Sequence, residues 1–323
     1  MAQQSRRRIL GICLDESVLR LAEVEQTLGR YKVLNVTEVP SRPPFSLKTL
    51  QDPALLAELE NHVHNVIAEK GFAAEEVRIA VNARYALLKR VPCDPTLSEK
   101  ELEEHVAWEL RQYIISPPEN YGFDFQKFPK PSSANHQTML FVAIRTKVTE
   151  ALESIVESLD IPLQAVTIDL LAMANALEYN YKFTSEEKIA LVEISDSYLT
   201  FIVIEGNLFL GYHTVPLHEI NGGESIHDTD PNTIASYISK QLRFLFSDYW
   251  SDTDQTAFDH TLLTRNSSQI PLDTIVSSLQ LQEFQIVQPF RNVALAESLQ
   301  HTVDSGTIMA EYLGAIGVTL REE

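Results

Sequence analysis

Sliding the sequence against itself by 180 residues lays 9–23 on 189–203, and the two stretches share one plan. Each is an apolar strand, a tight polar turn (Asp15-Glu16-Ser17 or Ser195-Asp196-Ser197) and a second apolar strand. Each then passes a glycine turn, Leu28-Gly29-Arg30 or Glu205-Gly206-Asn207, into a third strand. Alternating apolar residues broken by short turn signals mark an antiparallel meander. Two meanders, one opening each half, predict a duplicated α/β domain, because a repeated unit of this size implies a repeated fold. Few identical letters are shared, so the topology carries the prediction.

Between the meanders, apolar spacing predicts helices over 55–69, 149–160 and 169–181, and strands over 77–81, 86–91 and 138–144. Ser98 and Glu101 form a capping box, which opens a helix carrying Leu102, Val106, Leu110, Tyr113 and Ile114 on one stripe. After the second meander, 232–249 and 307–316 read as helices, and 260–264 and 284–287 as strands. Proline and polar clusters at 40–44, 116–118, 129–133 and 251–254 mark loops and seams.

Composition narrows the function. At 44% hydrophobic residues over 323 positions the chain can fill sizeable cores, which excludes wholesale disorder. A net charge of −19 repels phosphate backbones and anionic headgroups, so no nucleic-acid partner is expected, and membrane contact only through partners. Arg6-Arg7-Arg8 reads as a solvated tail. The apolar run after it is too short for a secretory signal, no stretch reaches the roughly 18 residues of a membrane span, and Cys13 and Cys93 supply no disulfide framework. A cytoplasmic protein is expected.

Several residues invite chemistry but read more simply. His62 and His64 are two apart on a helix and point to different faces. Cys13 has Asp15 and Glu16 beside it, which oppose a thiolate, so it reads as a buried thiol. Ser225-Ile226-His227-Asp228 reads as an acidic surface loop, since triads assemble from distant segments. Gly222-Gly223 reads as a turn. Trp108, Tyr113, Phe125 and Phe128 read as core, with an aromatic-lined peptide groove as the alternative.

The duplicated meanders resemble the actin-like ATPases, and within them the PilM family of type IV pilus assembly proteins, with FtsA more distant. The resemblance rests on Ile9-Leu10-Gly11-Ile12, on 81–91 (VNARYALLKRV), on 97–106 (LSEKELEEHV) with Tyr113-Ile114, on 169–176 (DLLAMANA), on Leu262-Leu263-Thr264 and on Gln288-Pro289-Phe290. It implies a first lobe at 1–83 plus 164–181, an inserted α+β subdomain at 84–163 and a second lobe at 182–323. It also implies an inner-membrane platform adaptor that binds the N-terminal cytoplasmic tail of a single-pass, PilN-like partner between first lobe and insert. Segments 77–84 and 101–113 are expected to contribute to that face.

In ATP-binding relatives a carboxylate ends the first strand of each meander, a glycine follows two residues later, and a third, glycine-rich loop covers the nucleotide. Here Cys13 stands at the first carboxylate position and Asp15 at the glycine, with Ser17 following. Glu193 keeps an acid at the second turn, but Ser195 replaces its glycine. Arg265, Asn266 and Ser267 stand where the third loop's glycines would be. A non-glycine residue forced into a left-handed turn costs about 1–2 kcal/mol. A carboxylate about 5 Å from a phosphate costs roughly 3 kcal/mol at an effective dielectric near 20. Micromolar binding is worth only about 8 kcal/mol in total, so no ATP, Mg²⁺ or other cofactor is expected unless Arg20 or Arg265 turns inward. The alternatives are a divergent ATPase or small-molecule kinase using Glu193 and Asp15 as shifted metal ligands, and a platform component resembling the cytoplasmic domain of GspL.

Overall fold

The computed structural model describes residues 6–128, 137–221, 225–251, 253–279, 284–304 and 309–320. The chain opens with β1 (Arg6–Leu14), β2 (Val18–Thr27) and β3 (Arg30–Pro40), the first meander. The β2–β3 turn takes positive φ at Leu28 (51°) and Gly29 (70°), the geometry whose twist matches a two-residue hairpin. Next come α1 (Leu47–Gln51), α2 (Pro53–Lys70) and β4 (Glu76–Val81), with the Asp52 carboxylate capping α2 at Ala54 N–H.

The insert follows as β5 (Ala86–Cys93), α3 (Glu99–Tyr113), β6 (Tyr121–Lys127), β7 (Gln137–Arg145) and α4 (Thr146–Glu157). The capping box closes at both hydrogen bonds, Ser98 with Glu101. The chain returns through β8 (Leu163–Ile168) and α5 (Asp169–Tyr181) to the second meander, β9 (Lys188–Ile194), β10 (Tyr198–Glu205) and β11 (Leu208–Pro216). It continues as α6 (His218–Asn221), α7 (Pro231–Tyr249), β12 (His260–Arg265), α8 (Leu272–Ser278) and β13 (Phe284–Ile286). It ends with β14 (Ala294–Leu295), α9 (Glu297–Asp304) and α10 (Leu313–Gly317).

The first sheet runs β14-β3-β2-β1-β4-β8 and the second β11-β10-β9-β12-β13, with β1–β4 and β9–β12 both parallel. The same strand order in both halves is the duplication read from the sequence. A third sheet, β5-β7-β6, belongs to the insert.

Three expectations need correction. Segment 294–320, expected with the second lobe, joins the first: β14 pairs with β3, and Leu313, Ala315, Ile316 and Val318 are buried in its core. α10 seats where Gly11 offers no side chain; a Cβ there would lie 2.0 Å from Ala315 O and 2.8 Å from the Thr319 methyl. α4, expected with the insert, buries Val148, Leu152, Ile155 and Val156 in the first lobe's core, leaving α3 to cover the insert's sheet. Arg6–Arg8 is not a tail but the start of β1, because Glu residues on neighbouring strands hold it. Arg6 pairs with Glu25, Arg7 with Glu76 at 3.3 Å and Arg8 with Glu23 at 3.7 Å. The expected start of a helix at Thr307, the loop at 129–133, Asp252 of the 251–254 cluster and the Gly222-Gly223 turn lie outside the described residues; from Leu313 the chain is helical.

Candidate functional site

The ends of β1, β9 and β12 meet at the seam between the lobes, and there the first two tight turns are built alike. Asp15 N–H closes on Val18 O at 3.1 Å and Ser195 N–H on Tyr198 O at 3.0 Å, so the 180-residue register is structural. Cross-strand partners share a face, and Arg20 pairs with Cys13 across the hairpin, which sends its guanidinium into the seam.

The Asp15 carboxylate, 4% exposed, is the hub. It accepts Glu16 N–H at 2.7 Å and Asn266 Nδ2 at 2.6 Å, with longer contacts of 3.4 Å from Tyr198 OH and Asn82 Nδ2. Arg20 lies 3.8 Å away and donates to Glu311 O at 3.1 Å. Asn82 also donates to Tyr198 OH at 2.9 Å, and Arg84 pairs with Glu16 at 2.6 Å over the Tyr198 ring. Glu38 accepts Ser268 N–H at 3.1 Å and both serine hydroxyls, Ser267 at 3.2 Å and Ser268 at 2.7 Å. Arg265 pairs with Glu311 at 2.9 Å. Both arginines thus turn inward, toward carboxylates of the chain itself.

Several amide groups of these loops are bonded to side chains of the protein. Besides Glu16 N–H on Asp15, Ser195 Oγ accepts Tyr198 N–H at 2.9 Å and Ser197 N–H at 3.3 Å. Gln269 N–H reaches Ser267 Oγ at 3.3 Å and Ser268 N–H reaches Glu38. The space between Cys13, Arg20, Asp169, Glu193, Thr264 and Glu311 is too small for a water molecule.

Burial sets the protonation here. It pushes Cys13 up to about 12 against the pull of Arg20, so the residue is a thiol. It pushes Glu193 up to about 7, again opposed by Arg20 and helped by Asp15. Asp169 rises well above the carboxylate range through burial first, then Glu193 and Asp15, although it accepts Leu170 N–H at 2.8 Å and Ala83 N–H at 3.0 Å. Burial works against the charge of Arg20, but Cys13, Asp15, Glu193 and Glu38 around it raise its pKa above the ordinary arginine value.

A carboxyl whose pKa is raised from 4.5 to about 7 on folding binds its proton more tightly when native. Its contribution to stability is whole below pH 4.5 and is lost as pH rises through about 7. At roughly 1.4 kcal/mol per pKa unit this is on the order of 3 kcal/mol. Urea-unfolding midpoints should therefore fall from pH 5 to 7.5, and Glu193→Gln should flatten that slope; an unchanged slope would refute the assignment.

Of the residues read from the sequence, Cys13, Asp15, Glu193, Ser195, Arg265, Asn266 and Ser267 converge at this seam, whereas Ser17 is exposed at the turn tip. Glu38, Asn82, Asp169, Tyr198 and Glu311 were missed. Asn82 and Asp169 lie inside segments that carry the family resemblance, 81–91 and 169–176, but nothing local marks them as facing Asp15 or Glu193. Glu193 and Asp15 do not combine with a third ligand: among the described residues no three His, Cys, Asp or Glu come together to hold a metal. His62 and His64 bond separate carbonyls, Pro40 O and Ser158 O. Ser225 donates to Asp196 at 2.7 Å, in a surface turn. The aromatic residues are dispersed: Phe128 is buried, Trp108 stacks on His105 and is exposed, and Tyr113 lies under Lys89.

A second feature is an open groove of about 910 Å³. Its walls are β6 and β7 of the insert, β8 and α5 of the first lobe, and Ile204 with 206–209 at the β10–β11 turn. Leu140, Val142, Ile144, Val166, Leu171 and Phe209 make it apolar. Neither 77–84 nor 101–113, the segments expected at the binding face, lines it: α3 packs on the opposite face of the insert's sheet.

Residues 11–214 match the model of a family described as type IV pilus assembly protein PilM. Among solved structures, a PilM-PilN type IV pilus biogenesis complex matches with TM-score 0.74 at 17% identity, covering 97% of this chain and 98% of that one, which shows the fold. The cytoplasmic domain of EpsL, an inner-membrane component of the Vibrio cholerae type II secretion system, follows at TM-score 0.48 and 12% identity over 98% and 96% of the two chains. A polyphosphate/ATP-glucomannokinase from Arthrobacter sp. strain KM gives TM-score 0.47 and 12% identity over 97% of each chain.

Proposed function

Because this chain belongs to the family of type IV pilus assembly protein PilM, we propose that it is a non-catalytic adaptor of a type IV pilus inner-membrane platform. It binds the N-terminal cytoplasmic tail of a PilN-like single-pass protein in the 910 Å³ groove, and reaches the membrane through that partner. No helix among the described residues is long and apolar enough to cross a membrane.

The observation that carries the non-catalytic reading is the state of the seam amides. A phosphate held by a turn needs free N–H donors, and those of Glu16, Ser197, Tyr198, Ser268 and Gln269 already serve side-chain oxygens. A triphosphate would also have to displace the Asp15 carboxylate and open a space now closed to water. These residues do not fit ATP with magnesium.

Isothermal titration separates the two cavities. ATP with Mg²⁺ should bind no tighter than high micromolar, and a low-micromolar constant would contradict the reading. A synthetic peptide of the N-terminal segment of a PilN-type protein from the same genome should bind, and a scrambled one should not. Val142→Lys, which puts a charge on the groove floor, should weaken the peptide at least 30-fold while leaving the melting temperature within a few degrees. Equal binding by this variant would move the site elsewhere.

A further inference from the structure

The groove treats the two insert strands on its wall differently. Successive side chains of a strand point to opposite faces. Along β7, the middle strand, only Leu140, Val142 and Ile144 border the groove, while Met139, Phe141 and Ala143 pack against α3. Along β6 both sets border it, Phe123 and Phe125 included, although their side chains pack with α3. Residues facing the wrong way can reach a groove only through their main chain. The groove therefore wraps the edge of β6 as well as its face.

The ladder says which main-chain groups that edge offers. Phe128 N–H donates to Thr138 O at 2.9 Å. In an antiparallel pair bonded and non-bonded residues alternate, so Gln126, Asp124 and Gly122 bond across to Leu140, Val142 and Ile144. Phe123, Phe125 and Lys127 then turn their N–H and C=O groups away from β7. The Phe125 amide agrees: it is outside the ladder and donates to the Asp124 carboxylate at 2.8 Å. Among the described residues β6 pairs with β7 alone. An open strand edge is a ready template for another chain.

Charge selects the occupant. The groove's lining includes Asp124 and Glu178 and no lysine or arginine. Burial raises the pKa of Glu178, a carboxylate short of a cationic neighbour. The whole chain carries −19. An apolar floor with an acidic rim suits an extended segment of apolar residues bearing positive charge.

We propose that the free edge of β6 takes a cationic, extended peptide as a fourth strand of the insert's sheet, its backbone bonded to Phe123, Lys127 and the Phe125 carbonyl. This rests on the groove being the docking site of the partner tail, and adds how that tail is held: by main chain for affinity and by Asp124 and Glu178 for its basic groups.

The test uses the full chain, ¹⁵N-labelled, with the same synthetic N-terminal peptide of a PilN-type protein. At saturation the amides of Phe123 and Lys127 should exchange with solvent at least tenfold more slowly, while Asp124 and Gln126, already bonded to β7, change less. Saturable binding with Phe123 and Lys127 unchanged would overturn strand addition and leave the groove reading standing. No saturable binding would overturn both. Peptides N-methylated on alternate residues give a second measure: one set should lose at least tenfold in affinity and the other should not, and equal binding by both sets would overturn the proposal.

Discussion

Replacing Arg20 with methionine should lower the free energy of unfolding by about 3–5 kcal/mol, the range for removing one partner of a buried ion pair. The side chain is 4% exposed and lies among Asp15, Glu193 and the Glu311 carbonyl. Methionine fills similar volume without charge, so cavity effects stay small and the loss reports on electrostatics. The Asp15 carboxylate keeps its bonds from Glu16 N–H and Asn266, but Glu193 loses the cation that opposes its protonation. The defect should therefore shrink toward pH 5, where a protonated Glu193 no longer needs that cation. Arg20→Lys should recover part of it. Chemical-denaturation midpoints at pH 5 and pH 8 measure this, and a loss below about 1 kcal/mol at pH 8 would refute Arg20 as the charge that holds the seam.

Gly11→Val should be nearly as damaging, for steric reasons. The nearest obstacle to an added Cβ is backbone, Ala315 O at 2.0 Å, so no rotamer change relieves it. Overpacking of this kind costs typically 1–3 kcal/mol, occasionally more. Relief requires α10 to lift off β1 and α5, exposing Leu313 and Ile316. Amides of α10 should then exchange many-fold faster than those of α7 in the second lobe, and the melting temperature should fall by several degrees. Uniform exchange in both lobes would show that the strain is absorbed elsewhere. Gly11 reads in the sequence as part of an apolar strand; in the fold its lack of a side chain serves the packing of a helix some 300 residues away.

That contrast explains what the sequence made legible. The meanders, α3 with its Ser98–Glu101 cap, and α5 were readable because period, turn residues and caps are local signals. β8 was not, since Leu163–Ile168 is short and half-buried and lacks clean alternation. Nor was the return of 294–320 to the first sheet, which depends on a two-residue pairing of Ala294 and Leu295 with β3. At the seam, Cys13, Asp15, Glu193 and Ser195 were found from the resemblance to ATP-binding relatives. Asn82, Tyr198 and Glu311 were not, because their meaning lies in where distant loops meet. The groove lies beyond sequence reading for a similar reason: on β6 it is bordered partly by main chain, which carries no letter of its own.

The seating of α10 against β1 also dictates an order of assembly. β1 is made well before α10, yet its Gly11 face stays uncovered until residues 309–320 have left the ribosome. The second lobe, whose core draws on 190–279 and Ala310, can collapse largely on its own meanwhile. Contacts this far apart in sequence form slowly, so the half of the molecule translated first is the half that matures last, and a nascent chain stalled before residue 309 should present an apolar sheet face to chaperones.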